Sequence, residues 1–248
     1  MSELLDRTEH RPYPLPTGPW VQQQEWSNLL FAHWPAPVDV IRRLVPDRLE
    51  IELWEDTAWL GITAFCIRGA RLRGTPALPL LSTFPEVDVR TYVRLGDRPG
   101  VFFLSLHAPN PVIAAAARLV YHMPYVGAAV TCEVEGDTVR LRSCREEAGG
   151  TPTEWDAAYR PTSEPFEAQP GTRDHFLIDR WALYTEDGEG RLYRAEIHRP
   201  PWQVQHAEAE ILKNTLAEAH GIRLPEQEPL LHFSRGVDAR IWLPEQVS

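Results

Sequence analysis

Between residues 84 and 93 the chain reads FPEVDVRTYV, with acid–base or ion-pairing side chains at every second position from Glu86. With the period of two of an extended strand, Glu86, Asp88, Arg90 and Tyr92 share one face, and Val87, Val89, Thr91 and Val93 share the other. Half-buried strands ordinarily turn such a polar face to water. Turned inward, the same residues would offer Glu86 as a carboxyl acid or base, and Arg90 as a planar fork of donors suited to a carboxylate or carbonyl. RLVYHMPYVGAA, residues 118–129, sets Arg118, Tyr121, His122 and Tyr125 where a helix gives way to a strand. There Tyr125 could donate a hydrogen bond or shuttle a proton, although tyrosines at such joints more often pack their rings. TRDHFLIDRWALY carries His175, Asp179, Arg180 and Tyr184 at helical spacing, where ion pairing along one face is the ordinary role. IHRPPW places His198 and Trp202 about a rigid turn, Trp202 more naturally as a packing anchor than as a ligand platform.

Several chemistries are excluded or weakened. No GxGxxG, GxxxxGK[ST], HExxH or GxSxG run occurs, so nucleotide-loop and common hydrolase readings lack support. The nine histidines are scattered, and the spacing of His198 and His206 matches no standard metal pattern, so neither a metal nor a cofactor is expected. Cys66, Cys132 and Cys144 are too few and too widely spaced for a disulfide framework and read as small buried hydrophobes. A net charge of −10 argues against nucleic acid as a partner. The start MSELLDRTEHRPYPLP has no basic segment followed by an apolar one, and no apolar run approaches the ~20 residues of a membrane helix, so the expected location is cytoplasmic, away from membranes. Basic charge resides in 24 arginines and one lysine, so any mechanism that needs a lysine has Lys213 alone.

The elements that must position these residues follow from periodicity and punctuation. Pro12, Pro14, Pro16 and Pro19 make residues 1–24 an extended arm without regular helix, leaving 25–248 as a single domain. PVDVIRRLVP is a short helix closed by Pro46, and LEIELWEDTAWLGITAFCIRGARL two strands turning at Glu55 and Asp56. A loop over 74–85 precedes the strand of the opening motif, LGDRPG connects it to VFFLSLHA, and Asn110 and Pro111 start a helix that Pro124 ends. AAVTCEVEGDTVRLRSCR is a hairpin, TRDHFLIDRWALY a short helix, and RLYRAEIHRPPW a strand stopped by Pro200 and Pro201. HAEAEILKNTLAEAHG predicts a helix with Ala209, Leu212, Leu216 and Ala219 on one face, and LLHFSRGVDARIWL two short strands around Arg235 and Gly236. Many short strands without βαβ rhythm indicate an α+β fold, mainly an antiparallel barrel.

The order of these pieces resembles the YqjF-like family of bacterial proteins of unknown function, block by block from FPEVDVRTYV to LLHFSRGVDARIWL, over about residues 26–244. That family is similar, more distantly, to acetoacetate decarboxylase. The resemblance implies an acetoacetate decarboxylase-like antiparallel β-barrel or cone with a few outer helices and a polar cavity inside. In the decarboxylase a strand glutamate lies near the cavity, and a glycine-aromatic-Pro-Lys-Lys motif supplies the amine for a Schiff base. By block order Glu86 matches that glutamate and Pro124 the motif's proline, while Tyr125 and Val126 stand at the lysine positions. Neither a phenol nor a valine can form the Schiff base.

A closed sheet must either pair the charges of its inward strand face or line a wet cavity with them, and the Glu-Asp-Arg-Tyr face is expected to line a cavity. The candidate catalytic residues are Glu86 and Tyr125, and the candidate substrate-binding residues are Arg90, Tyr92, Arg118, His198 and Trp202. The expected partner is a small organic acid or carbonyl ligand, with a homo-oligomer left open. Three functions compete. The first is a lyase, hydratase or isomerase working without a Schiff-base lysine. The second is a non-catalytic binding protein or sensor using the same cavity, and the third a structural protein in which Glu86 and Arg90 merely pair.

Overall fold

Alternating apolar runs dominate the chain, and in the computed structural model they condense into strands. It describes residues 3–79, 81–146 and 152–247. In order these form α1 (Glu3–Asp6), β1 (Gln22–Ala36), α2 (Val38–Leu44), β2 (Glu50–Ile51), β3 (Ala58–Leu72), β4 (Phe84–Leu95), β5 (Arg98–Ala108), α3 (Pro111–Tyr121) and β6 (Tyr125–Gly127). They continue with β7 (Ala129–Glu135), β8 (Thr138–Arg145), β9 (Thr153–Pro161), α4 (Arg173–Ile178), β10 (Ala182–Glu186), β11 (Leu192–His198), β12 (Gln205–Asn214), β13 (Leu230–Ile241) and β14 (Glu245–Val247). Among the described residues every strand pairing is antiparallel except β5 with β6 and with β10.

The order β11-β10-β5-β4-β3-β1-β13 returns on itself, because Ile197 and His198 of β11 pair with Ile241 and Arg240 of β13. The result is a cone-like ring of strands in an α+β fold. Beyond β13 the sheet continues through β12, β9, β8 and β7 and curls over the outside of the ring. β4 therefore buries both faces, which is why it carries a valine stripe as well as a charged one. Val87, Val89 and Val93 join an outer core with Leu30, Ile62, Trp155 and Tyr159. Residues of opposite parity, among them Leu29, Phe31, Phe65 and Phe103, line the interior.

Two local devices hold the ring's curvature. Asn28 takes the left-handed conformation at φ 52°, where the β1–β3 register shifts, and its carbonyl accepts a 2.8 Å bond from the Tyr159 hydroxyl. Gly236, facing this bulge, lies so close to β1 that a Cβ there would sit 2.7 Å from the Trp26 carbonyl oxygen. Glycine is needed for that close approach.

Several expectations require correction. The segment predicted as a helix over 206–221 is strand β12 followed by a 3₁₀ turn at Glu218–His220. Its Ala, Glu, Leu and Lys content favours helix, but Ala207, Ala209 and Ile211 also alternate at period two, and pairing with β9 decides for the strand. The closing pair of short strands is one continuous strand, β13, because Gly236 relieves a close approach rather than making a turn. The arm contains one helical turn, α1, ahead of its first proline. Cys66 is buried, while Cys132 and Cys144 are only half-buried; all three are free. Residues 1 and 2 of the arm, and Leu80 of the loop expected over 74–85, lie outside the described residues.

Candidate active site in the ring interior

The ring encloses a cavity of about 710 Å³. Along β4 the inward parity brings Phe84, Glu86, Asp88 and Arg90 to its wall. At about 3.3 Å per residue these four span about 20 Å of the cavity's length. The β4–β5 register shifts between Val89 and Arg90, which leaves the β4 parity intact while Leu104 forms the extra residue on β5. Glu86, Asp88 and Arg90 of the opening motif therefore line a cavity rather than facing bulk water.

Glu86 is only 3% exposed, and its Oε2 accepts a 2.7 Å hydrogen bond from the Tyr125 hydroxyl. Tyr125 arrives at the start of β6, immediately after α3 ends in a left-handed His122, and its carbonyl is held by the Arg118 guanidinium at 2.8 Å. Burial pushes the Glu86 carboxyl up to about 8; the Asp88 charge adds to the rise and the Tyr125 hydrogen bond opposes it. Burial also lifts Asp88, to about 6, against the pull of Arg90, whose Nε lies 3.8 Å from Asp88 Oδ1. Near neutral pH the site thus holds a protonated glutamic acid beside an ionised aspartate, two carboxyls separated by environment. Tyr125 is raised well above the ordinary phenol range, first by burial and then by Glu86, so it stays a neutral donor.

Besides Arg71 near the end of β3, three arginines line the same cavity. Arg90 lies over the Phe31 ring at 5.4 Å. Arg180 pairs with Glu52, and its Nε donates to the Phe176 carbonyl at 2.8 Å. Arg199 is fully buried, donates from Nη2 to Asp179 Oδ1 at 2.8 Å and from Nη1 to the Pro200 carbonyl, and stacks on Trp181 and Trp202. Burial lowers Arg199 to about 10, which leaves it charged at neutral pH. Each of the three, Arg90, Arg180 and Arg199, keeps one buried N–H without a hydrogen bond from the protein: Nε of Arg90, which meets Asp88 only at ion-pair distance, Nη2 of Arg180 and Nε of Arg199. Buried donors of this kind are rare unless something else accepts from them.

Of the seven residues singled out from sequence, Glu86, Tyr125, Arg90 and Trp202 line the cavity, and Tyr92, Arg118 and His198 do not. The Tyr92 hydroxyl donates to the Leu177 carbonyl at 2.8 Å and its ring packs against Phe176, closing the ring beyond Arg90. Arg118 is exposed on α3 and touches the site only through the Tyr125 backbone. His198 faces outward beneath the arm, its Nε2–H donating to the Leu4 carbonyl at 2.8 Å. The β11 parity explains the last error: Ile197 and Arg199 point in, so the arginine next to His198 is the inward residue. Arg180 and Asp88 were visible in quoted motifs, but their role depends on which way the ring turns them. Among the described residues no cluster of His, Cys, Asp or Glu could hold a metal ion. Lys213 is exposed on β12 and is not part of the cavity wall.

A family model for DUF2071, described as uncharacterized conserved protein, matches residues 23–238. The chain belongs to the DUF2071 family. It is 38% identical over 239 residues to the uncharacterized protein YqjF of Bacillus subtilis strain 168, covering 96% of this chain and 98% of that one. This DUF2071 chain is also similar to solved structures that establish the fold. Acetoacetate decarboxylase from Legionella pneumophila superposes with a TM-score of 0.63 at 14% identity, over 100% of this chain and 95% of that one. The enduracididine biosynthesis enzyme MppR, complexed with the condensation product of pyruvate and imidazole 4-carboxaldehyde, superposes with a TM-score of 0.66 at 13% identity, over 96% and 92%. Among the described residues no helix is long and apolar enough to cross a membrane.

Proposed function

We propose that the protein is an acid–base enzyme of the lyase, hydratase or isomerase kind, acting on an organic acid or carbonyl compound without a Schiff-base lysine. The observation that carries this reading is the 2.7 Å bond from Tyr125 to a buried Glu86 kept protonated near neutral pH inside a cavity. Tyr125 fixes one carboxyl oxygen, so the other presents its proton to the ligand as general acid. Asp88, ionised at the same pH, serves as the base that removes a proton from carbon. Arg90 and Arg199 hold the carboxylate or oxyanion through their unpartnered N–H groups. For a 3-hydroxy acid, Asp88 takes the proton at C2 and the C2–H electrons form the double bond. The C3–O bond breaks, and Glu86 protonates the departing oxygen, which leaves as water. Hydration is the reverse. The neighbouring folds that handle acetoacetate and pyruvate support the ligand class, and the phenol at the amine's position argues for proton transfer instead of decarboxylation.

The test is proton exchange in deuterated water, followed by proton NMR on 2-oxo, 3-oxo and 3-hydroxy acids. Wild-type protein should exchange or eliminate the C2 proton of one class, and Glu86→Gln should bind the same compound while losing about 10²–10⁴-fold in rate. Binding without exchange or elimination in the wild type would make the site a receptor rather than an enzyme.

A further inference from the structure

The cavity is far larger than acetoacetate or pyruvate. At about 30 Å³ per heavy atom, the scale of liquid water, the seven heavy atoms of acetoacetate would fill less than a third of 710 Å³. Most of the wall around the remaining volume is apolar. On the way out from Glu86 the wall passes through Phe84, Leu106, Met123 and Ile113, and it ends in side chains from four parts of the fold. These are Leu72 at the end of β3, Leu78 and Leu81 in the loop before β4, Val120 on α3, and Leu243 after β13. All five are exposed. Eleven large apolar side chains are exposed among the described residues, and five of them stand at this one rim. Singly exposed apolar residues need no explanation, whereas a concentration around a cavity mouth marks a surface that an apolar ligand covers. Gln22, Gln24, Arg71, Thr75 and Ser82 also stand along this outer part, but Arg90, Arg180 and Arg199, with their unpartnered donors, gather at the opposite end.

From this polarity we infer that the ligand is an amphipathic straight-chain acid of about eight to fourteen carbons, or its oxo or hydroxy derivative. Its carboxylate lies at Arg90 and Arg199, and its hydrocarbon chain runs past Glu86 to the Leu72–Leu81–Val120 rim. A methylene group is about the size of a water molecule, so at the same scale such an acid takes about 300–480 Å³, which the 710 Å³ cavity accommodates while a four-carbon acid leaves most of it unfilled. The inference rests on the acid-binding reading above and adds the chain. Placing the carboxylate at the arginines sets Asp88 and Glu86 beside the carbons next to it, where proton transfer is useful.

The experiment titrates the full-length protein with butanoate, octanoate and dodecanoate, and with the alcohols of the same lengths, all below micelle formation. The readout is the fluorescence of Trp26 and Trp202, which line the cavity. Affinity should tighten about fourfold per added methylene up to ten or twelve carbons, then level off where the chain passes the rim. Acids should bind at least tenfold tighter than alcohols, and Arg90→Gln should erase that preference. Leu81→Asp and Val120→Asp, both at exposed positions, should weaken dodecanoate at least tenfold and leave butanoate unchanged. Equal affinity for butanoate and dodecanoate would overturn the chain inference while leaving the acid site standing. Length dependence with alcohols equal to acids would uphold the chain and overturn the acid reading. No binding of any member would overturn both.

Discussion

Replacing Glu86 with Gln tests the state of the site before any substrate is known. Glu86 has an ordinary value near 4.5 and is lifted to about 8 in the folded chain, chiefly by burial. Between those two values the folded protein keeps a proton that the unfolded chain has released. Stability therefore falls as pH rises, by about 1.4 kcal/mol per unit for this one group. From pH 5 to pH 8 the loss is about 4 kcal/mol, a large part of the 5–15 kcal/mol typical of a folded domain. The contribution is intact below pH 4.5 and gone above 8. Gln has nearly the same volume, its carbonyl can still accept from Tyr125, and it does not titrate. Asp88 titrates in both proteins and cancels in the comparison to first order. Urea denaturation of both proteins at pH 5, 6, 7 and 8 should show Glu86→Gln gaining about 4 kcal/mol relative to wild type across that range, with equal dependence on urea. Parallel pH curves would refute the reasoning, because Glu86 would then be ionised in the folded protein and could not be the acid.

Other consequences can be measured without a ligand. Gly236→Ala should destabilise by about 1–3 kcal/mol, since its Cβ would meet the Trp26 carbonyl at 2.7 Å and force β1 and β13 apart; an unchanged melting temperature would count against that close approach. Deleting residues 1–18 removes the Arg11–Glu196 ion pair at 2.9 Å, the His10 contact to the Arg199 carbonyl and the buried Tyr13 ring. Burial of Tyr13 alone is worth about 2 kcal/mol, so the melting temperature should fall by about 4–8 °C, and a truncated protein as stable as the full chain would show the arm to be dispensable. Borohydride treatment with acetoacetate or pyruvate should leave the intact mass unchanged, because the lone Lys213 is exposed and outside the cavity wall. A reduced adduct on Lys213, lost in Lys213→Arg, would relocate the chemistry.

Much of this protein is written in local pattern. The β4 alternation, the Asn110 cap with Pro111 behind it, and the turn at Glu55 and Asp56 each depend on a few neighbouring residues, and each has its expected form. That the chain carries one lysine, Lys213, is equally legible, since a residue type is a property of the sequence alone. What remained hidden depends on contacts between distant segments. The run over 206–214 satisfies both helical composition and strand alternation, and only β9 lying alongside decides between them. His198 and Arg199 are adjacent, and only closure of β11 against β13 determines which of them turns inward. The value near 8 at Glu86 likewise follows from water excluded by walls drawn from the whole ring. No local run encodes that burial, because a pKa responds to everything that surrounds the carboxyl in space.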